Sequence, residues 1–461
     1  MDIKKIEDHD AAALFLSGVK TFLTLDSHII DELSQHMHES DFASGDHLIT
    51  KGTPGNHMLL IRSGSVRVEL DNRNIILSKG AVVGEIALLS GKPRQANVIA
   101  ETPTKTFILS RDNFQTLMTK HTQLASAMTA LMKSRLDADN GFRTVGKYQI
   151  LEVLGEGGMA IVYNAYDPDL DRHVAIKMLK YEIACKPDFK ARFKQEAKTI
   201  ARFQHPNIVH VFETIEAYAT AFIVMEKLQG EDLKQHMQKH GAFDSQQTCR
   251  ILQQVAKALQ YTHNEKNGGI IHRDIKLANI LLLQDNSIKL MDFGISSNTN
   301  TTSDSVGGTL QYLSPELLKG DPIDGRVDIY ALGIVAYFML ACKPPFKITN
   351  MQSAIQHHLL ETPPAIELTV PSVTPNLIEF ITKAMVKNPE DRIFNYDEII
   401  HLLSDEASIN EPYDARLHLH FEQKNVKLES LIRDIEKLLH KHKIPNTVAL
   451  ELKEGNYWIE K

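Results

Sequence analysis

The sequence predicts an α+β multidomain protein in three parts: a helix-flanked β-barrel, a larger two-lobed α+β domain, and a small α+β segment at the C-terminus. Three observations carry that reading. Short β-rich runs punctuated by glycine fill residues 20–110, strands followed by long helical periodicities run from Lys147 to Ser404, and strand-like and amphipathic runs alternate in the last stretch. At 461 residues the chain has room for roughly three domains of ordinary size.

The barrel is read from HLIT, HMLLIRSGSVRVEL, NIILS, ANVIAE and KTFILS, with turns at Gly45, Gly52, Gly55, Gly64 and Gly80. Ile29, Ile30, Leu33 and Met37 keep helical spacing before it, and Leu124, Met128, Leu131 and Met132 keep it after, so residues 1–138 form one domain. A polar connector with Gly141 and Gly146 and no long Pro or Ser tract occupies 139–146. The two-lobed domain takes 147–404. Its longest apolar run, Ile329 to Cys342, is about 14 residues, short of the roughly 20 that span a bilayer, so it is a buried core helix. The segment 405–461 offers a strand (Arg416 to Phe421), an amphipathic helix (Leu428, Leu431, Ile432, Ile435, Leu438, Leu439) and two strand-like runs, TVALEL and YWIE. A piece of fewer than about 60 residues is marginal alone, so it is expected to lean on its neighbour or on a second copy in a homodimer.

Composition narrows the partners. A net charge of −7 with the signs intermixed leaves no broad basic surface, which argues against nucleic acid and anionic membranes. The opening MDIKKIEDHD has acidic residues where a secretory signal needs an apolar stretch, so a cytoplasmic location is expected. Cys185, Cys249 and Cys342 are too widely spaced for a disulfide framework or a zinc cluster. His418 and His420 would face the same way on a strand, but no third ligand stands at metal-site spacing.

The run GEIALLSGKPRQANV, Gly84 to Val98, carries the first chemistry. A cyclic nucleotide presents a ribose 2′-hydroxyl and one phosphate charge, so its pocket needs an acceptor and a cation. Gly84 lets backbone approach a ligand, and Glu85 can accept from the hydroxyl. The turn from Ile86 to Leu89 reads as a short helix offering free N–H groups. Arg94 can pair with phosphate through two parallel bonds, and small Ala96 leaves its own N–H accessible. These residues resemble the phosphate-binding cassette of cyclic-nucleotide-binding domains, as in the regulatory subunits of cAMP-dependent protein kinase, cGMP-dependent kinases and bacterial catabolite-activator regulators. The resemblance makes Gly84, Glu85, Ile86, Ala87, Arg94, Gln95 and Ala96 the ligand positions and the helix Gln123 to Leu136 a lid over the base. Gln95 stands where the family usually has Ala, Thr or Ser; its amide can bond a base edge, crowd guanine or point to solvent, so cAMP and cGMP both stay open as effectors.

A second set is ordered for transfer of the ATP γ-phosphoryl, which needs a cover for the phosphates, a fixed cation, Mg²⁺ ligands and a base. GEGGMAIVY supplies Gly155, Glu156, Gly157, Gly158 and Val162 in a strand-turn-strand setting, with Ala160 in place of a third glycine. Lys177 ends the apolar strand VAIK, and Glu196 lies on a downstream helix facing the right way to hold it. In IHRDIKLAN, Asp274 would accept the hydroxyl proton, Lys276 would steady the γ-phosphate and Asn279 would bind Mg²⁺, with Asp292 of MDFG as the other metal carboxylate. Mn²⁺ could replace Mg²⁺.

These motifs, over 147–404, resemble the eukaryotic-type protein kinase fold, and GEGGMAIVYNAYDPDLDRHVAIKML is especially similar to bacterial Hanks-type Ser/Thr kinases. Lys276, where tyrosine kinases usually have Ala, and Thr309 in GTLQY imply serine and threonine of protein substrates as acceptors. The resemblance also assigns Met225 and the hinge Glu226 to Leu228 to ATP, Asp232 to its ribose, Asp328 to the start of the core helix, and Glu316 to a pair with Arg392, with SPE replacing the usual APE. A pseudokinase would lack the strand lysine, the catalytic aspartate or the metal aspartate; this chain keeps all three. Phosphorylation of Thr301, Thr302, Ser303 or Ser305 is expected to order the activation segment by pairing with Arg273.

Two readings of the whole follow. One is a Ser/Thr kinase regulated by cyclic nucleotide, the lid movement passing through the connector to the small lobe. The other is a constitutive Ser/Thr kinase whose N-terminal domain serves docking or dimerisation.

Overall fold

Short strands with buried residues on their inner face fold the N-terminal part into two facing antiparallel sheets. The computed structural model describes residues 4–70, 73–90, 93–137, 144–265, 269–293, 310–404, 450–452 and 457–459. Thr301, Thr302, Ser303, Ser305, Thr309, His418, His420, most of the connector and most of the C-terminal segment lie outside them.

The strands are β1 (Lys4–Lys5), β2 (Met37–Phe42), β3 (His47–Ile49), β4 (His57–Ser63), β5 (Ser65–Leu70), β6 (Arg73–Ser78), β7 (Val82–Val83), β8 (Asn97–Ala100) and β9 (Thr104–Ser110). They form sheets of order β1-β2-β9-β4-β7 and β3-β8-β5-β6. Leu59, Ile61, Val66, Val98 and Ile108 fill the space between them. Gly64, at φ +86°, makes the β4–β5 turn; a Cβ there would lie 2.5 Å from the Pro103 carbonyl oxygen.

Helices α1 (His9–Ser17), α2 (Ser27–Gln35), α3 (Glu85–Ser90), α4 (Arg111–Lys120) and α5 (Thr122–Asp137) accompany the sheets. Met37, grouped with a helix by its spacing, instead opens β2. The helix stops at Gln35 with His36 at φ −95° and ψ 0°, and Met37 reaches the same core from the strand.

The next sheet has order β10-β11-β12-β13-β15-β14. Its strands are β10 (Thr144–Val145), β11 (Tyr148–Glu156), β12 (Ala160–Asp167), β13 (Arg172–Leu179), β14 (Val211–Ala217) and β15 (Thr220–Glu226), with α6 (Tyr181–Ala184) and α7 (Pro187–Ile200). Thr144 and Val145, read from sequence as connector, pair with Gln149 and Tyr148 and so belong to this small-lobe sheet.

The large lobe is mostly helical. It holds β16 (Gly230–Asp232), α8 (Leu233–His240), α9 (Ser245–His263), β17 (Ile280–Leu283), β18 (Ile288–Leu290), α10 (Pro315–Lys319) and α11 (Arg326–Ala341), which carries the long apolar run and is buried nearly throughout. No helix among the described residues is long and apolar enough to cross a membrane. From Glu406 the chain forms a separate unit, of which the described part is the antiparallel pair β19 (Leu450–Leu452) and β20 (Tyr457–Ile459).

Helix α5 is used twice. It packs against α4 and the turn Lys20–Phe22 on the barrel side, and against α6 and β11 on the other. Its Leu124, Met128, Met132 and Leu136 belong to one apolar cluster with Phe107 and Leu109 of β9 and Tyr148, Ile150 and Tyr163 of the small lobe. The barrel and the small lobe therefore share a core, and a helix joins them as well as the connector.

Candidate functional site

One carboxylate organises the loop that precedes Asp274. Asp328, in the first turn of α11, accepts from the backbone N–H of His272 and of Arg273, each at 2.7 Å, and pairs with His263 Nε2 at 2.8 Å. The loop is thereby pinned with Arg273 at φ +64°. Asp274 N donates to His272 Nδ1 at 3.2 Å and His272 Nε2 donates to the Met291 carbonyl at 3.0 Å, which is the hydrogen-bond pattern of a neutral ring. Burial pushes the His272 pKa down and keeps it so.

Asp274 Oδ2 accepts from Lys276 Nζ at 2.7 Å and from Asn279 Nδ2 at 2.9 Å. With its amide nitrogen committed there and to the Asp274 carbonyl at 2.8 Å, Asn279 keeps Oδ1 for a cation. Lys177 Nζ donates to Asp292 Oδ1. Burial alone would raise the Asp292 pKa, but the Lys177 ammonium holds it below the usual carboxylate range. Phe293 is buried against the rings of His272 (4.3 Å) and Phe203 (5.5 Å), which fixes the chain beside Asp292. A carboxylate and an amide oxygen are the hard donors Mg²⁺ takes, so this set fits the ion. Glu196 is carried by α7; its side chain lies outside the described residues.

Across the lobes, Gly155 and Glu156 end β11 opposite Val162 and Ile161. Gly157 N donates to the Ala160 carbonyl at 2.9 Å and closes the turn that contains Gly158. Met225 and Glu226 end β15, and the Glu226 carboxylate accepts from Lys289 Nζ at 2.6 Å and from His210 N at 2.8 Å. Its side chain therefore ties strands together, while Glu226 N donates to the His210 carbonyl at 2.9 Å and Leu228 just beyond is half-buried. Asp232 is the N-cap of α8, with Oδ1 accepting from Gln235 N at 2.8 Å, a role its sequence position did not announce. Arg392 donates to both oxygens of Glu316 at 2.6 and 3.0 Å.

One cavity, of about 300 Å³, lies under the barrel's short helix. Gly84, Glu85, Ile86, Ala87, Arg94, Gln95 and Ala96 all line it, together with Ser134 and Arg135 from α5. Gly84 sits at φ +82°, and a Cβ there would lie 2.5 Å from Arg94 Nη1, so only glycine allows the arginine this close. Arg94 is buried and donates to the Gly84 carbonyl at 2.7 Å and to that of His57. Burial pushes its pKa down to about 10, against the opposing pull of Glu85. Glu85, buried, accepts from Arg135 Nε at 2.8 Å, and Arg135 Nη2 also holds the Val82 carbonyl at 2.8 Å. Motif reading passed over Arg135; the available signal was a basic residue in the last turn of α5.

Among the described residues one group of donors gathers at metal-ligand distance, Glu231, His236 and His240. Glu231 is already paired with Lys239 and with His236 Nδ1 at 2.8 Å, and His236 stacks on Phe243, so the cluster ties β16 to α8.

A two-lobed domain with this loop and these carboxylates has the architecture of a phosphotransferase, and residues 148–402 match the family model of the protein kinase domain. The chain belongs to the protein kinase family. Residues 39–121 match the model of the cyclic nucleotide-binding domain. The probable serine/threonine-protein kinase SCO3848 of Streptomyces coelicolor is 39% identical over 267 residues, 56% of this chain and 39% of its own length. Serine/threonine-protein kinase PrkC of Bacillus subtilis is 36% identical over 306 residues, 64% of this chain and 46% of its own. Serine/threonine-protein kinase PknB of Mycobacterium tuberculosis is 38% identical over 256 residues, 53% of this chain and 40% of its own. The chain thus spans less than half the length of these curated relatives.

Proposed function

We propose that this chain is a serine/threonine protein kinase, transferring the ATP γ-phosphoryl to protein substrates, and that cAMP or cGMP bound in the barrel cavity regulates it. The observation that carries the first half is the set around Asp274. Held by Asn279 and Lys276, its carboxylate is fixed to accept the proton of a substrate hydroxyl, while Lys276 offsets negative charge at the transferred group. Asp292 and Asn279 would hold Mg²⁺, which when bound supplies charge neutralisation at the phosphate oxygens. Lys177, now on Asp292, is within reach of the same carboxylate and can turn to phosphate instead. The regulatory half is supported by the seven cassette positions lining one cavity and by the match over 39–121.

The test is phosphate transfer from labelled ATP with Mg²⁺ to casein, with and without cAMP and cGMP, on wild type and Asp274→Asn. Transfer should fall by about 10²- to 10⁴-fold in the variant. Equal rates in both proteins overturn the kinase assignment. A constitutive kinase with a supporting N-terminal domain is the second reading, favoured by the shared core of α5 and the small lobe. It is the answer if calorimetry detects nucleotide binding and the rate ignores it.

A further inference from the structure

Helix α5 sends three polar side chains to three different places. Thr129 Oγ1 accepts from Tyr181 N at 2.9 Å and donates to Glu182 Oε2 at 2.7 Å, which fixes the start of α6. Lys133 Nζ bonds Glu156 Oε2 at 2.5 Å, where β11 runs into the glycine turn, and Lys180 Nζ takes the other oxygen of Glu156 at 2.9 Å. Arg135, in the last turn, bonds Glu85 inside the cavity. Residues two apart on a helix are rotated by about 200°, which leaves them about 160° apart, so Lys133 and Arg135 serve opposite sides of one rod. The rod itself cannot shift alone, because its apolar residues sit in the core that barrel and small lobe share.

The Glu85 side chain is 4% exposed and its charge is met by Arg135, which is 29% exposed. A buried carboxylate must keep a partner, since leaving it bare is strongly unfavourable. A ribose hydroxyl arriving at Glu85 therefore meets an acceptor already engaged by a guanidinium that lines the same cavity. Exchange of one donor for the other frees the Arg135 guanidinium, two residues along the helix from Lys133.

We propose that Arg135 is a residue of the nucleotide pocket that competes with the ribose hydroxyl for Glu85, and that α5 is the contact surface carrying this exchange through Lys133 to Glu156 beside the glycine turn. The proposal rests on the reading of the barrel as a cyclic-nucleotide site. It makes the helix, rather than the connector, the route between the two.

Calorimetry with cAMP and with cGMP on the full chain, paired with the transfer assay, tests it on wild type, Arg135→Ala, Arg135→Lys and Lys133→Ala. Arg135→Ala should bind nucleotide about fivefold more tightly, having lost the competitor, and its transfer rate should no longer respond to nucleotide. Arg135→Lys should fall between, because an ammonium keeps the charge without the two-point grip. Lys133→Ala should bind as wild type does and lose at least half of the response. Weaker binding by Arg135→Ala overturns the competition, since Arg135 is then a ligand contact. Tighter binding with an unchanged response, or a full response in Lys133→Ala, overturns α5 as the route. If Arg135→Ala does not fold by circular dichroism, Arg135→Gln takes its place. No binding by wild type or by Arg135→Ala refutes the pocket reading itself and the proposal with it, a result distinct from binding of the wrong sign.

Discussion

Two glutamate–arginine pairs, Glu316 with Arg392 and Glu85 with Arg135, use the same chemistry to opposite ends. In the large lobe both partners are at most 3% exposed, two bonds join them, and Arg392 also donates to the carbonyls of Val386, Arg326 and Lys387. Burial alone would raise the Glu316 pKa, yet Arg392 holds it below the usual range. In the barrel the carboxylate is just as buried, but its arginine is partly in water and spends one bond on it. A guanidinium whose donors are all engaged in a dry site has nowhere else to go; one at the rim has water as an alternative. Exposure of the cation, more than distance, separates a fixed strut from an exchangeable contact.

The comparison breaks most directly at the strut. Arg392→Ala strands the Glu316 charge in the interior and should cost about 3–5 kcal/mol, read as a shift in the urea midpoint of the full chain. A loss below about 1 kcal/mol would place this pair in the same class as the barrel's.

A buried group with no ionic partner sharpens the point. His358 is fully buried between the Leu310 carbonyl and the Tyr330 hydroxyl, and burial pushes its pKa down to about 4. The unfolded chain binds that proton first, near pH 6.5, so the stability present above pH 6.5 is lost as pH falls toward 4, by about 3 kcal/mol at most. Urea melts at pH 7 and pH 4.5 should show this loss in wild type and a smaller one in His358→Gln. The least effect is expected at the rim: Arg135→Ala should cost clearly less than Arg392→Ala, because the space left by a partly exposed guanidinium admits water to the Glu85 carboxylate, although the change alters ligand binding.

What was legible in the sequence is what short loops hold together. Asp274, Lys276 and Asn279 lie within one turn of chain, and the β17–β18 hairpin returns Asp292 beside them, with Met291 N donating to the Asn279 carbonyl at 2.9 Å. The cassette residues likewise gather around one cavity because a glycine, a short helix and the next strand leave them little choice. Contacts between distant segments had no such signature. The bond from Arg135 to Glu85 crosses fifty residues of sequence. Periodicity marked Leu124, Met128 and Met132 as an apolar face but could not say that two domains would claim it. Met37 shows the same limit, since a helix and a strand can bury one side chain in one core. Asp232 and Glu226 were read for a ligand, while the fold also spends their carboxylates on a helix cap and a strand tie.

The double use of α5 also sets an order of events on the ribosome. The helix is complete about 90 residues before Val224, the last small-lobe residue of their common core, so at ordinary rates of synthesis it waits roughly 5–18 s for its second partner. During that interval the newborn barrel carries an uncovered apolar strip, the kind of surface that chaperones hold and that aggregation exploits. A barrel cut after Asp137 would keep that strip for good, so the natural unit of folding runs through the small lobe.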